Sequence, residues 1–493
     1  MYMTSGATAI WVAIATVFVT AVMTRVVRAR TKHDSVSTRA PPPVVKCGSV
    51  IGLFYTMFSK GFRAMIQDQY EKLGSVFTIS FFGPKVTFLI GPEVSGHFYQ
   101  GLDSEINHGR ILEFTVPMFG KAVGYGVDDT TRMEQYRFQF EALRPSKLKS
   151  NVALMLQEVE DYFAKWGPQG MVDLKQELSQ ILMLIAGRCL LGKEVREMIF
   201  GEVVTLFDEL FDNSTRLTSV LFPYAPTLAT YRRNRAQTKL SELFTEIVRS
   251  RKCSKRVEED VLQSLVDSQY NNGCPTTEEE VTGMVMSLIF AGKHTSTGAS
   301  TWTGACLLSH ARWYEAAMEE QEQIISKYGD QVDYNALQEM DILHRCIKEA
   351  LRMHPSALVF LRRVQKNFVV RTKDGIEYEI PRGHTIASPV LYNNYIPYIY
   401  KDPDVFDPDR FRPGREEDKV GGKFSYTSFG GGRHACPGEA FAYMQRKAIY
   451  SCLIRNFELE LVSPFPETSW QKLIPEAKGK VMVSYKRRRM PRT

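Results

Sequence analysis

The stretch FGGGRHACPG, residues 429–438, decides how the rest of the chain is read. Three consecutive glycines lead to a basic pair, then one cysteine, a proline and a further glycine. A cysteine between glycines can be a small buried hydrophobe in a tight turn. It can also be a sulphur presented for chemistry, because glycines let a backbone come close to a large flat partner. The surroundings have to decide between the two.

Cysteine usage elsewhere narrows the choice. The eight cysteines stand at 47, 189, 253, 274, 306, 346, 436 and 452. None has C-x-x-C spacing, which argues against a disulfide scaffold or a structural zinc site and for a reducing compartment. Apolar residues make up 44% and charged residues 24% of 493, the balance of a globular protein. The two ends depart from it. Residues 1–24 carry no charged side chain, and Arg25, Arg28, Arg30 and Lys32 follow at once. About 20 apolar residues span a bilayer core, and flanking basic residues stay in the cytosol. Residues 1–24 are therefore expected to be a single uncleaved transmembrane anchor. Residues 25–45, closing with Pro41-Pro42-Pro43, form a basic and proline-rich linker, and 46–493 are the catalytic body. That arrangement is expected at the endoplasmic reticulum membrane, with the body in the cytosol. The basic run Lys486-Arg487-Arg488-Arg489 then reads as a solvated tail or a face for an acidic protein or membrane surface, with no nucleic-acid partner.

Within the body, residues 75–82 alternate, turn at Gly83-Pro84 and resume over 86–90, which predicts a β-hairpin. Residues 368–372 and 376–380, joined at Asp374-Gly375, predict a second. Most of the remainder has helical spacing. Thr276 and Thr277 followed by Glu279 and Glu280 give a capping-box start, and no proline interrupts the chain before His310. One helix of about 50 Å is predicted there at 1.5 Å per residue. The fold class is mainly α with small β-sheets set to one side.

Against this background the cysteine loop acquires a logic. A thiolate ligand to a haem iron needs its sulphur held by backbone N–H donors. Phe429 could cover the sulphur, and His434, two residues earlier, could meet a haem propionate. FGGGRHACPG resembles the F-x-x-G-x-R-x-C-x-G haem-binding loop of the cytochrome P-450 family, whose fold the predicted elements fit. Two helical landmarks precede it in the order that family requires. Glu349-Ala-Leu-Arg352 gives E-x-x-R, whose charged pair shares a helix face, and Arg410 in Pro408-Asp409-Arg410-Phe411 would complete a structural triad. Ala291-Gly292-Lys293-His294-Thr295, in the middle of the long helix, matches A-G-x-x-T. A mid-helix threonine is commonly a back-bonded hydroxyl. In this family its glycine opens room for oxygen.

The His294–Thr295 pair resembles the sterol 14α-demethylase branch, where most other members have an acid before the threonine. LEFTVPMFG at 112–120, EQYRFQFEALR at 134–144 and KDPDVFDPDRFRPGREEDK at 401–419 look like its plant members. The resemblance implies haem b (iron protoporphyrin IX) with Cys436 as axial ligand, O2, and electrons from NADPH through a cytochrome reductase. It further implies Thr295 beside the oxygen site and His294 as a proton relay, since imidazole both accepts and donates near neutrality. Tyr125, Arg132, Arg362 and His434 match propionate partners, with Phe429 against the sulphur. Leu112, Phe119, Ala291, Gly292 and Leu358 match the substrate pocket.

Leu112 stands where the sterol demethylases have tyrosine, and Thr297-Gly298-Ala299 stand where plant relatives have bulkier residues. Volume changes of this kind alter binding by about 1–3 kcal/mol. The pattern is similar to that of divergent grass members that oxidise the pentacyclic triterpene β-amyrin, and C-ring epoxidation with D-ring hydroxylation is the expected activity. Two alternatives stay open: sterol 14α-demethylation of obtusifoliol, and a haem-containing lipid-binding protein without monooxygenase activity. A haem-thiolate isomerase or dehydratase is disfavoured by Thr295, which such enzymes lose.

Overall fold

The computed structural model describes residues 39–45, 47–80, 84–254, 258–469 and 474–488. The expected membrane anchor and most of its linker lie outside the described residues, as does Arg489. Among the described residues no helix is long and apolar enough to cross a membrane. The chain groups into two compact units, one of residues up to Gly109 with Val359–Asn393, the other of Arg110–Leu358 with Asn394 onward.

The smaller unit carries the β-rich part. Val76–Ser80 and Lys85–Leu89 pair antiparallel as the first predicted hairpin. Lys85–Leu89 then runs parallel to Thr385–Ser388, and Phe360–Val364 and Ile106–Asn107 complete five strands. Thr78 and Thr87 are fully buried polar residues in this sheet, and their hydroxyls bond each other at 2.9 Å. Phe368–Arg371 pairs with Glu377–Ile380 as the second predicted hairpin. The end of the expected linker departs from the prediction. Val44 bridges to Thr78, and the Val45 N–H donates to the Thr78 carbonyl at 2.9 Å. Two consecutive valines favour burial against a sheet edge over a solvated spacer, and Val45 is buried.

The larger unit is helical around one extended hydrophobic core. Its centre is the long helix, Glu278–Leu308, which is 31 residues long, or about 46 Å. Thr277 is its N-cap, accepting from the Glu280 N–H at 3.2 Å while the Glu280 carboxylate accepts from the Thr277 N–H at 2.7 Å. Three glutamates in the first turn, Glu278–Glu280, complement the positive end of the helix dipole. From Val281 onward this helix is buried along most of its length, which explains why its sequence is apolar on nearly every face. A three-stranded antiparallel sheet, Gln169–Asp173, Met482–Arg487 and Phe457–Leu461, closes the C-terminal end. It also corrects the solvated-tail reading. Arg487 donates to the carbonyls of Phe163 and Trp166, at 3.2 and 2.7 Å, and Arg488 to that of Phe457 at 3.1 Å. Helix ends leave carbonyls without partners, and the Pro145–Ala164 helix uses this basic run to satisfy its own.

Candidate active site

A network of buried charge holds the cysteine loop. The helix Asp341–Met353 brings Glu349 and Arg352 to one face, both fully buried. Arg352 grips Glu349 through two bonds of 2.8 Å and donates to the carbonyls of Asn394 and Pro403. Arg410 adds a bond of 2.9 Å to the same carboxylate, as the E-x-x-R pattern predicts. Glu417 is a further member that no motif singles out. It accepts from Arg410 at 2.5 Å and from Arg415 at 2.8 Å, so the triad is part of a six-membered lattice that also includes Asp407, bound to Arg415 at 2.6 Å. Density of charge in 401–419 was the available signal, but nothing in its spacing says which carboxylate faces inward.

The lattice reaches the loop through Asn394. Its side chain donates to the Arg352 carbonyl and to the Ser428 hydroxyl, both at 3.0 Å, and Ser428 donates to Leu351. Phe429 follows directly, and its carbonyl accepts the Cys436 N–H at 2.9 Å. Gly430 and Gly432 have φ of 73° and 62°, a left-handed backbone that residues with a Cβ rarely adopt. The glycines are therefore required by the turn itself. Phe429 packs its ring 5.3 Å from Tyr443 on the helix Glu439–Asn456. His434 ends the short turn Gly432–His434 and occupies the position that the family pattern gives to arginine.

Cys189, Cys306, Cys346 and Cys452 are buried, whereas Cys436 is exposed on its loop. Protein nevertheless crowds one side of its sulphur. Burial is the largest influence and pushes the thiol up from its ordinary value, while the Gly438 N–H pulls it down. Coordination to a metal would remove the proton of such a thiol, because a metal holds a thiolate outright. An accessible sulphur, an N–H aimed at it, and a glycine turn bare of side chains fit a haem bound through Cys436. When bound, that haem supplies oxygen activation driven by thiolate electron donation.

Across the unit, the long helix carries the expected threonine. The Thr295 hydroxyl donates to the Ala291 carbonyl at 2.5 Å, the back-bonded geometry of a mid-helix threonine. A Cβ at Gly292 would meet nothing within 4 Å, so the helix borders open space at this turn. His294 lies against aromatic rings, with centroids 5.8 Å from Phe211 and 6.4 Å from Phe290. Its neighbour Lys293 is buried and ion-paired with Asp208 of the helix Phe200–Ser214, a partner that no local sequence signal reveals. The Ser356 hydroxyl donates to the Thr295 carbonyl at 3.3 Å, and the Tyr450 hydroxyl to the Ser300 carbonyl at 2.5 Å. Through Tyr450 the long helix is tied to the helix that follows the cysteine.

The other expected site residues divide. The Tyr125 hydroxyl meets Tyr136 at 3.0 Å, and the Arg132 guanidinium lies 4.9 Å over the Tyr125 ring while pairing with Asp129. Arg362 belongs to the smaller unit, where it is buried on the strand Phe360–Val364, 3.3 Å from His108 and over the Phe98 ring. Leu112 and Leu358 are partly buried, and Phe119 packs 5.5 Å from Phe290. The segment expected to reshape the pocket wall is largely packed. Ala299 is in the core, and a Cβ at Gly298 would come 3.6 Å from the Pro475 carbonyl. A cleft of about 870 Å³ opens instead between the helix Leu228–Ser254 and the start of the long helix, lined by Phe119, Glu242, Arg249, Glu279 and Met286 among others. Of the expected pocket residues only Phe119 borders it.

Comparison with known proteins agrees with this geometry. The family model for cytochrome P450 matches residues 41–483. Obtusifoliol 14-alpha demethylase of Sorghum bicolor is 52% identical over 91% of this chain and 91% of its own length. Sterol 14-demethylase of Arabidopsis thaliana is 50% identical over 93% of each, and lanosterol 14-alpha demethylase of Mus musculus 32% over 87% and 84%. Retinoic acid-bound cyanobacterial CYP120A1 superposes with a TM-score of 0.77 at 22% identity, covering 92% of this chain and all of that one, and shares the fold. The chain belongs to the cytochrome P450 family, within reach of its plant sterol 14-demethylase branch.

Proposed function

We propose that this cytochrome P450 removes the 14α-methyl group of a plant sterol of the obtusifoliol type. The enzyme class follows from the family: a haem b monooxygenase using O2 and electrons from NADPH through a reductase. The substrate rests mainly on one observation, the 52% identity to an obtusifoliol demethylase along nearly the whole of both chains. The packing of Gly298 and Ala299 adds to it, because residues held against the core leave the pocket wall less altered than their small size suggests.

The chain's own residues contribute in three ways on this reading. Cys436 would hold the haem, with its own N–H fixed by the Phe429 carbonyl and the Gly438 N–H directed at its sulphur. The Thr295 hydroxyl, released from Ala291 by a rotamer change, donates a proton on the oxygen side. His294 passes protons toward it, a task suited to an imidazole near neutrality. Residues 1–24 anchor the protein in the endoplasmic reticulum membrane, and a reductase docks from the cytosol.

A second reading is oxidation of the pentacyclic triterpene β-amyrin, as epoxidation of the C-ring and hydroxylation of the D-ring. Leu112 favours it, since an aliphatic side chain replaces an aromatic hydroxyl there and remains partly buried beside the core. Co-expression in yeast with a plant reductase separates the two. Demethylation should release formate from obtusifoliol and complement a strain lacking that activity. A β-amyrin product with no complementation would replace the first reading by the second.

A further inference from the structure

Two turns into the helix Glu439–Asn456 lies Arg446, which is 2% exposed. Its Nη1 donates to the Ala442 carbonyl, one turn back on its own helix, at 3.0 Å, and its Nε is buried without an acceptor among the described residues. Tyr443, three residues earlier, shares the helix face of Arg446. The Tyr443 ring lies 5.3 Å from Phe429, and the Phe429 carbonyl holds the Cys436 N–H at 2.9 Å. Beyond the cost of burial, the groups acting most strongly on the guanidinium are Tyr443, Tyr426, Tyr450 and Cys436, and no carboxylate forms an ion pair with it among the described residues. All three phenols are pushed up by burial and remain neutral. Cys436 is left as the one member of the set that becomes an anion, when it ligates iron.

Burying a guanidinium without a counter-ion is costly, and replacing buried charge by an apolar side chain of similar size is often neutral or stabilising. Arg446 therefore fits a role that appears only in the haem-loaded protein. We propose that Arg446 is a positioning residue for the axial ligand, the buried counter-charge of the Cys436 thiolate that sets the reduction potential of the bound haem. The inference rests on Cys436 being the ligand. A fixed positive charge on the proximal side favours the reduced iron, whose net charge is one unit lower, and charge near the ligand is a known lever on haem potential.

The test uses the full-length, haem-loaded protein and Arg446→Met, Arg446→Gln and Arg446→Lys variants without substrate. Midpoint potential is read by spectroelectrochemistry, and ligation by the ferrous carbonyl spectrum. The neutral variants should keep the red-shifted thiolate band and move the midpoint to more negative potential, while Arg446→Lys stays near the parent. Neutral variants that do not load haem, beside a Lys variant that does, would equally assign the role to the charge. An unchanged midpoint in a neutral variant with an intact thiolate band overturns the proposal, as does failure of all three variants to load haem, which would make Arg446 a packing residue. A parent protein without the thiolate band would instead remove the ligand assignment beneath it.

Discussion

The charged lattice beneath the Asp341–Met353 helix and the turn of the long helix around Thr295 use polar residues in opposite ways. In the lattice nothing is spare. Glu349 accepts two bonds from Arg352, one from Arg410 and one from the Asp407 N–H, and all three side chains of the triad are fully buried. Around Thr295 the hydroxyl itself makes one local bond and no charged contact. The hydroxyl is folded back on its own helix, Gly292 borders open space, and the Cys436 thiol is exposed on its glycine loop. A saturated network gives rigidity and no reactivity, whereas a hydroxyl held by a single local bond and an accessible sulphur can meet a ligand. The lattice serves the site from a distance, through Asn394 and Ser428, by fixing the backbone from which the cysteine hangs.

Removing charge from the lattice should have the largest effect on stability. Glu349→Gln keeps the shape of the side chain but leaves Arg352 buried without its counter-charge. Breaking such a pair costs about 3–5 kcal/mol, so a urea titration should show a fall of that size together with a lower yield of haem-loaded protein. A change below about 1 kcal/mol would mean that the lattice behaves like a surface ion pair and that the contrast is false.

The loose side of the comparison should respond in function and hardly in stability. In Thr295→Ala, NADPH oxidation should continue with product falling by about a hundredfold and hydrogen peroxide rising, at the low end of what a positioned proton donor contributes. Thr295→Ser, which retains the hydroxyl, should recover most of the coupling. Coupled turnover in the alanine variant would reduce Thr295 to the back-bonded packing residue that its geometry also allows.

The smallest effect lies at the start of the same helix. Thr277→Ala removes an N-cap and half of a capping box, worth about 1 kcal/mol, with no change in coupling. A loss of coupling equal to that of Thr295→Ala would show that the whole helix, rather than one turn of it, governs proton delivery.

Local patterns in the sequence survived into the structure because local physics enforces them. The capping box at Thr277, the two hairpins and the glycine loop at 429–438 depend on residues a few positions apart. Long-range choices were less legible. Glu417 reaches Arg410 from a three-residue 3-10 turn too short for any periodicity to reveal its face. Asp208 meets Lys293 from a separate helix. The C-terminal arginines looked solvated because nothing in their own neighbourhood announces the carbonyls of Phe163 and Trp166. Arg446 was hidden for a different reason, since a basic residue on a helix ordinarily faces water. The family resemblance named candidate site residues, but it carries no information that Gly298 and Ala299 are packed.

The central claim is that Cys436, held by the lattice, is the thiolate ligand of a haem. Its most direct test is the ferrous carbonyl spectrum of the purified full-length protein beside that of Cys436→Ser. The parent should show the red-shifted Soret band of thiolate-bound haem, and the serine variant should lack it while retaining its fold. A parent band of the histidine-ligated type, or a thiolate band that persists in Cys436→Ser, would contradict the account.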